Sequence, residues 1–239
     1  MKMLYALRSL LFYVFASVSL CIGVPFVFLL SMLPFKYRFS IIVIWTRSLR
    51  HALFWICGIR VVLKWPKGWS QKKLKGPYVI CSRHESALET LIFSGIFPMN
   101  CFVVKKALLY IPIFGWAFRV SKHIPIDRSK ALRSMMEVIR MGKSRIQEGI
   151  SLIVFPEGTR MSPNTFRPFH KGAASIAKSM GVDVIPVTHN AGKCWRRKGF
   201  IKYPGTVTVV MGEPMSIDGL SVDQINEKIY EWITKNYPN

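Results

Sequence analysis

Residues 78–89 read Tyr78-Val79-Ile80-Cys81-Ser82-Arg83-His84-Glu85-Ser86-Ala87-Leu88-Glu89. The apolar run Tyr78–Cys81 has the length of a buried strand, and the polar residues behind it lead into an apolar helical run. This strand–turn–helix order recurs along the chain. Cys101–Val104, Ile124–Ile126, Ser151–Phe155, Val184–Val187 and Thr206–Met211 read as further strands. Between them, Ser129–Glu148 predicts a helix, with Leu132, Met135, Met136, Ile139 and Ile146 on one face and Gly149 as its stop. Ala173–Met180 predicts a second helix, closed by Gly181. Ser221 opens a last one, where Gln224 completes a capping box and Ile225, Ile229 and Trp232 face inward. Such alternation implies an α/β domain built on a largely parallel mixed sheet flanked by helices.

Upstream the character changes. Ser9–Phe35 holds no charged residue across 27 positions, bracketed by Lys2 and Arg8 before it and Lys36, Arg38, Arg47 and Arg50 after it. A bilayer-crossing helix needs about 20 residues. The run is too long for a signal peptide and has no small-residue cleavage site, so a retained anchor is expected, kinked at Pro25. The heavier positive charge on its C-terminal side puts that side in the cytoplasm, at the inner membrane. Phe39–Leu63 reads as an amphipathic interfacial helix with Arg47, Arg50 and His51 on one face. A buried helix of the globular domain is the alternative reading, and the two segments together also suit a hairpin dipping into one leaflet. The expected division is an N-terminal membrane-binding helical segment over 1–63 and a folded domain over 64–239, joined through the basic, Pro- and Gly-punctuated stretch Lys64–Gly76.

With 34 lysines and arginines against 12 acidic residues, the formal charge is +22, which demands anionic partners. Nucleic acid, anionic lipid headgroups and phosphorylated substrates all qualify. The apolar N-terminus favours lipid, and no helix-turn-helix, zinc or aromatic RNA-binding motif supports nucleic acid. The five cysteines are scattered, without a Cys-x-x-Cys pair or a Cys/His cluster at metal-ligand spacing. They read as reduced, buried thiols, and no metal or bound cofactor is expected.

Two segments carry chemistry. A histidine at the C-terminal end of a strand sits where α/β sheets open their crevices. Glu89, five positions after His84, can reach one imidazole nitrogen and leave the other free as a base. The competing reading is that Ser86-x-x-Glu89 is a capping box and no more. The second segment is Phe155-Pro156-Glu157-Gly158-Thr159-Arg160, where Gly158 permits an unusual turn and Arg160 offers two donors to a phosphate. An ordinary turn with a solvated ion pair is the alternative.

In combination the segments are far more specific. His84…Glu89, Ile126-Asp127-Arg128, Phe155–Arg160 and Val184-Ile185-Pro186-Val187, in this order, resemble the signature of the bacterial 1-acylglycerol-3-phosphate acyltransferases, within the wider glycerolipid acyltransferase family. The likeness covers roughly residues 60–235 and departs at Glu89, where the family pattern has Asp. It implies transfer of a fatty acyl chain from a thioester of coenzyme A or acyl carrier protein to the sn-2 hydroxyl of lysophosphatidic acid. In that scheme His84 is the general base and Glu89 fixes its tautomer. Arg160, Arg128 and Lys105 are the expected cations for the acceptor phosphate, and Glu157, Gly158 and Thr159 line the acceptor site. Alternative acceptors are glycerol-3-phosphate or another lysolipid. A rival outside catalysis is a membrane-tethered binder of anionic ligands in which Glu89 only caps a helix. His123, His170 and His189 have no acid at a matching spacing and read as surface or packing histidines. The basic cluster Lys193, Arg196, Arg197, Lys198 and Lys202 reads either as a solvated loop or as a contact for anionic lipid or an acidic carrier.

Overall fold

The computed structural model of the chain describes residues 1–127, 129 and 131–238. Two N-terminal helices, α1 (Lys2–Leu29) and α2 (Phe35–Cys57), precede β1 (Ile59–Lys64), β2 (Val79–Ser82), α3 (Leu88–Phe93) and β3 (Asn100–Lys105). There follow α4 (Phe114–Val120), β4 (Ile124–Ile126), α5 (Ala131–Gln147), β5 (Ser151–Val154), α6 (Gly172–Met180), β6 (Val184–His189), α7 (Ala191–Cys194), β7 (Gly205–Met211) and α8 (Val222–Lys235). Among the described residues the strands form one seven-stranded sheet in the order β1-β7-β6-β2-β5-β3-β4. Every neighbouring pair is parallel except β6–β7.

The central strands are buried on both faces, which is why they read as unbroken apolar runs. Strand alternation splits them between two layers. Ile80, Ile153 and Ile185 enter the core shared with α1, α2 and α3, while Val79, Leu152 and Val184 enter the core shared with α5, α6 and α8. Burying one such side chain contributes about 1.5–3 kcal/mol. Helix α8 begins as expected: Gln224 N–H donates to Ser221 Oγ, and Ser221 N–H donates to Gln224 Oε1.

One boundary differs from the expectation. The helix predicted to run to Leu63 ends at Cys57, where Gly58 adopts a left-handed conformation (φ 70°) and donates its N–H to Leu53 O and Phe54 O. Ile59–Lys64 then pairs with β7 as an edge strand. Arg60 belongs to that strand, so the sheet begins before residue 64. Its β-branched pair Val61-Val62 suits a strand, but directly behind a long apolar helix it looks like more of the same.

Neither N-terminal helix stands apart from the domain. Helix α2 buries Phe35, Phe39, Thr46, Leu49, Leu53 and Cys57, a stripe at helical spacing, and leaves Tyr37, Ile44 and Trp55 exposed. Helix α1 runs through Pro25 to Leu29 and lies against both α2 and the domain. Trp45 Nε1–H donates to Ser19 Oγ at 3.1 Å, and Lys202 N–H donates to Ser9 Oγ at 2.8 Å. Lys202, expected in a surface cluster, is buried. Its ammonium lies 3.2 Å from the centroid of the Tyr13 ring and 4.3 Å from that of Trp195, and burial lowers its pKa to about 8. The outer face of α1 is apolar, with Leu4, Leu7, Leu11, Val18 and Ile22 exposed.

Candidate active site

Strands β6, β2 and β5 are parallel neighbours, so their C-terminal ends meet at one edge of the sheet. His189 ends β6, His84 follows β2 by two residues, and Phe155–Arg160 follows β5. This is the edge at which α/β sheets place ligand crevices.

His84 and Glu89 meet as expected. His84 Nδ1–H donates to Glu89 Oε1 at 3.1 Å, since the facing carboxylate carries no proton to give. The imidazole stacks on Phe155, with centroids 4.0 Å apart and planes inclined by 17°. That leaves Nε2 as the ring nitrogen available to a ligand. Of the Ser86-x-x-Glu89 capping box only one half forms: Oε1 accepts the Glu85 N–H at 2.7 Å and the Ser86 N–H, whereas Ser86 Oγ takes the Leu88 N–H at 3.1 Å and α3 starts behind Ala87 without a side-chain cap. Glu89 therefore ties down the turn before α3 and orients the imidazole with the same oxygen. It is fully buried. Burial opposes its ionisation, but His189 and His84 outweigh that and bring its pKa down to about 2.

His189 is buried, as a packing histidine would be, and its ring also meets Glu89. Its Nε2 lies 3.0 Å from Glu89 Oε2 and 2.8 Å from Arg83 O, while its Nδ1 accepts the Ala191 N–H at 3.3 Å. The strand-end rule that singled out His84 also points to His189, which ends the adjacent strand. Its acid lies 100 positions away in sequence, where no local spacing reveals it.

The second segment folds back onto the first. Gly158 takes φ 66° and donates its N–H to Phe155 O at 3.1 Å, closing a turn that a side chain would strain. Met161 N–H donates to His84 O at 2.7 Å, and His84 N–H donates to Glu157 Oε1 at 3.3 Å. Glu157 is thus a buried support beneath the histidine, and it is not among the residues that line the cavity in front of it. Its Oε2 has no hydrogen-bond partner among the described residues, and burial raises its pKa to about 7. Between its ordinary value of 4.5 and about 7 the folded chain holds a proton that the unfolded chain has released. Folding stability therefore falls as pH rises through that window, by an amount on the order of 2–3 kcal/mol. Glu157→Gln removes this dependence, so the variant's melting temperature gains on that of the unaltered chain as pH rises from about 4.5 to 7. Parallel melting profiles over that range would show that Glu157 titrates normally.

Two side chains unremarked in the sequence hold this arrangement. Arg83, 1% exposed, donates Nε–H to Glu85 Oε1 at 2.6 Å and Nη2–H to Ser162 O and Thr165 O at 3.1 and 2.8 Å. Glu85 Oε2 accepts the Gly192 N–H at 2.9 Å. A Cβ on Gly192 would lie 2.9 Å from that oxygen, so only glycine lets α7 approach.

In front of His84 opens a cavity of about 580 Å³. His84, Thr159, Arg160, Lys105, Arg197 and Lys198 line it together, so two cations of the basic cluster join two of the expected ones. Arg197 also donates Nη1–H to Arg160 O at 3.0 Å. Arg128 lies outside the described residues. The remaining walls are mostly apolar: Leu20 from α1, Ile41 and Trp45 from α2, and Phe102, Phe114 and Phe118 from the domain. The geometry unites an imidazole oriented by a carboxylate, cations and a largely apolar cavity, a combination suited to an amphiphile with an anionic head.

Comparison with known proteins agrees. Residues 65–190 match the acyltransferase family. A 1-acyl-sn-glycerol-3-phosphate acyltransferase of Pseudomonas aeruginosa is 33% identical over 240 residues, covering 98% of this chain and 92% of its own length. One of Saccharomyces cerevisiae is 33% identical over 158 residues, covering 64% of this chain and 52% of its own length. The crystal structure of the 1-acyl-sn-glycerophosphate acyltransferase PlsC of Thermotoga maritima shares the fold, with a TM-score of 0.80 over 96% of this chain and 92% of that one at 24% identity.

Proposed function

The chain belongs to the acyltransferase family, and from that premise we propose that it moves a fatty acyl chain from a thioester to the sn-2 hydroxyl of 1-acylglycerol-3-phosphate, yielding phosphatidic acid. The observation that carries this reading is His84, steered by Glu89, opening on an apolar cavity flanked by Arg160 and Lys105. An alcohol is a weak nucleophile at neutral pH. His84 Nε2 takes the hydroxyl proton as the oxygen attacks the thioester carbonyl, and Glu89 stabilises the imidazolium that forms. The tetrahedral intermediate collapses, the C–S bond breaks, and the departing sulfur recovers the proton from His84. No covalent acyl-enzyme is needed. The guanidinium of Arg160 and the ammonium of Lys105 receive the acceptor phosphate. The apolar recess takes hydrocarbon, each buried methylene contributing about 0.8 kcal/mol. Coenzyme A or acyl carrier protein supplies the acyl group.

The test uses purified protein in detergent, a labelled acyl thioester and a panel of acceptors. Lysophosphatidic acid is expected to react fastest, and acceptors without the phosphate to lose about 10-fold or more in kcat/KM, the scale of one charged hydrogen bond. A phosphate-free acceptor that reacts equally well removes the roles assigned to Arg160 and Lys105.

The same reading sets the chain on the cytoplasmic leaflet of the inner membrane. Supporting it is the broad apolar surface of α1 and α2, continued by Tyr110, Ile111 and Trp116. Lys2–Gly23 is long and apolar enough to cross a bilayer, yet Ser9 and Phe12 on its inner face are buried against the domain. A helix seated on a water-facing domain fits insertion into one leaflet better than a full crossing. Fluorescence of the exposed Trp55 and Trp116 should be quenched by lipids brominated near the headgroup end of their acyl chains, and unchanged quenching of both would count against this orientation.

A further inference from the structure

The family pattern has aspartate where this chain has Glu89, and the environment of Glu89 contains a second histidine. Glutamate carries its carboxylate one methylene farther from the backbone. In this fold that reach sets the two oxygens between two rings: Oε1 at 3.1 Å from His84 Nδ1, and Oε2 at 3.0 Å from His189 Nε2. We propose that His189 is a positioning residue for the acyl transfer, holding the Glu89 carboxylate so that His84 presents Nε2 to the acceptor hydroxyl.

The hydrogen bonds decide which tautomer His189 uses. Its Nδ1 accepts from the Ala191 N–H, so the proton sits on Nε2 and is shared between Glu89 Oε2 and Arg83 O. Both acceptors belong to the segment that carries His84. Arg83 directly precedes the catalytic histidine, and its N–H in turn donates to Val187 O of β6 at 3.1 Å. His189 is 1% exposed and Glu89 is fully buried, so neither carboxylate oxygen is diluted by water and a missing donor cannot be replaced from solvent. The ring also lies 5.9 Å from Phe93, centroid to centroid, which fixes it from the α3 side. Without its N–H, Oε2 is left with the 3.4 Å contact from the Glu85 N–H, so the carboxylate is held mainly through Oε1 and fixes the imidazole less firmly. Loss of such orientation lowers turnover and leaves substrate binding alone, because His189 is not among the residues lining the cavity.

This inference rests on the acyl-transfer reading, and the experiment separates the two. His189→Phe keeps the ring volume and removes the donor, while His189→Gln places an amide N–H near the position of Nε2. Both are assayed for kcat and KM with lysophosphatidic acid, in the natural background and with Glu89→Asp, with thermal melting as a check on folding. His189→Phe is expected to lower kcat by about 10–100-fold, the scale seen for groups that orient a functional histidine, with KM changed by less than about 3-fold. His189→Gln should recover most of the loss. In the Glu89→Asp background the shorter carboxylate cannot span both rings, so the additional cost of His189→Phe should shrink to less than about 3-fold. Equal turnover of His189→Phe and the unaltered chain overturns the inference, as does an equal cost in both backgrounds, a KM effect alone, or failure of His189→Gln to restore a folded His189→Phe loss. An unaltered chain inert toward every acceptor instead defeats the reading of function, and the inference with it.

Discussion

Replacing His84 by alanine lowers kcat for acyl transfer by about 10²–10⁴-fold, the usual worth of a positioned general base, while thermal melting stays close to that of the unaltered chain. The asymmetry follows from where the ring sits. It lies at the cavity wall with 12% of its side chain exposed, so its removal opens the existing space and leaves no sealed void. Glu89 loses one of its partners but keeps the Glu85 and Ser86 N–H groups and His189, so no buried charge is stranded. The backbone of residue 84 retains its links to Glu157 and Met161 through N–H and C=O groups that alanine also carries. What disappears is the ring nitrogen that Glu89 turns toward the cavity. A rate within about 3-fold of the unaltered chain would mean that the hydroxyl proton leaves by another route, and the mechanism would fail.

Much of this was legible in the sequence because it is local. β2, β5 and β6 announce themselves as apolar runs since both their faces are covered. Glu89 reaches His84 because five residues of turn and helix start span that gap, and α8 opens where Ser221 and Gln224 cap it. The missed features are those set by pairing between distant strands. His189 is 100 positions from Glu89 in sequence and becomes its partner only through the parallel β2–β6 register that aligns Ser82 with Val187. Lys202 lies in a basic stretch and reads as solvated. Its burial depends on Phe12 and Tyr13 arriving from the far end of the chain. Charge type alone does not tell a surface lysine from one enclosed by aromatic rings.

The N-terminal helices change meaning once the cavity is in view. Leu20, Gly23, Ile41, Ile42, Trp45 and Thr46 line it together with Phe102 and Phe118. A segment expected only to anchor the domain thus also encloses the space in front of His84. The apolar side chains of these helices extend the recess that would shelter hydrocarbon, where each methylene removed from water contributes about 0.8 kcal/mol.

Arg83→Met is expected to destabilise the fold by about 3–5 kcal/mol, the cost of stranding one member of a buried ion pair, which for a chain of this size lowers the melting temperature by roughly 6–20 °C. Methionine matches the length of the stem but carries no charge. Glu85 is 0% exposed; it would keep the Gly192 N–H on Oε2 and its hydrogen bond with the Tyr237 hydroxyl, but its charge would lose the facing guanidinium. The carbonyls of Ser162 and Thr165 would lose their shared donor, and the rings of Phe166 and Tyr237, 4.4 and 4.9 Å from the guanidinium, would lose their cation. Because most of the penalty is the orphaned carboxylate, adding Glu85→Gln to Arg83→Met should restore part of the stability, whereas two independent contacts would make the double variant worse than either single one. The damage also reaches the site. Residues 162–165 begin two positions after Arg160, so a folded fraction of Arg83→Met should show a raised KM for the phosphorylated acceptor. Denaturant or thermal melts of the two single variants and the double one decide the matter: a loss below about 1 kcal/mol for Arg83→Met would mean that the pair is hydrated like a surface ion pair, and the stapling of the Arg160 loop to the His84 strand would have to be assigned to the backbone alone.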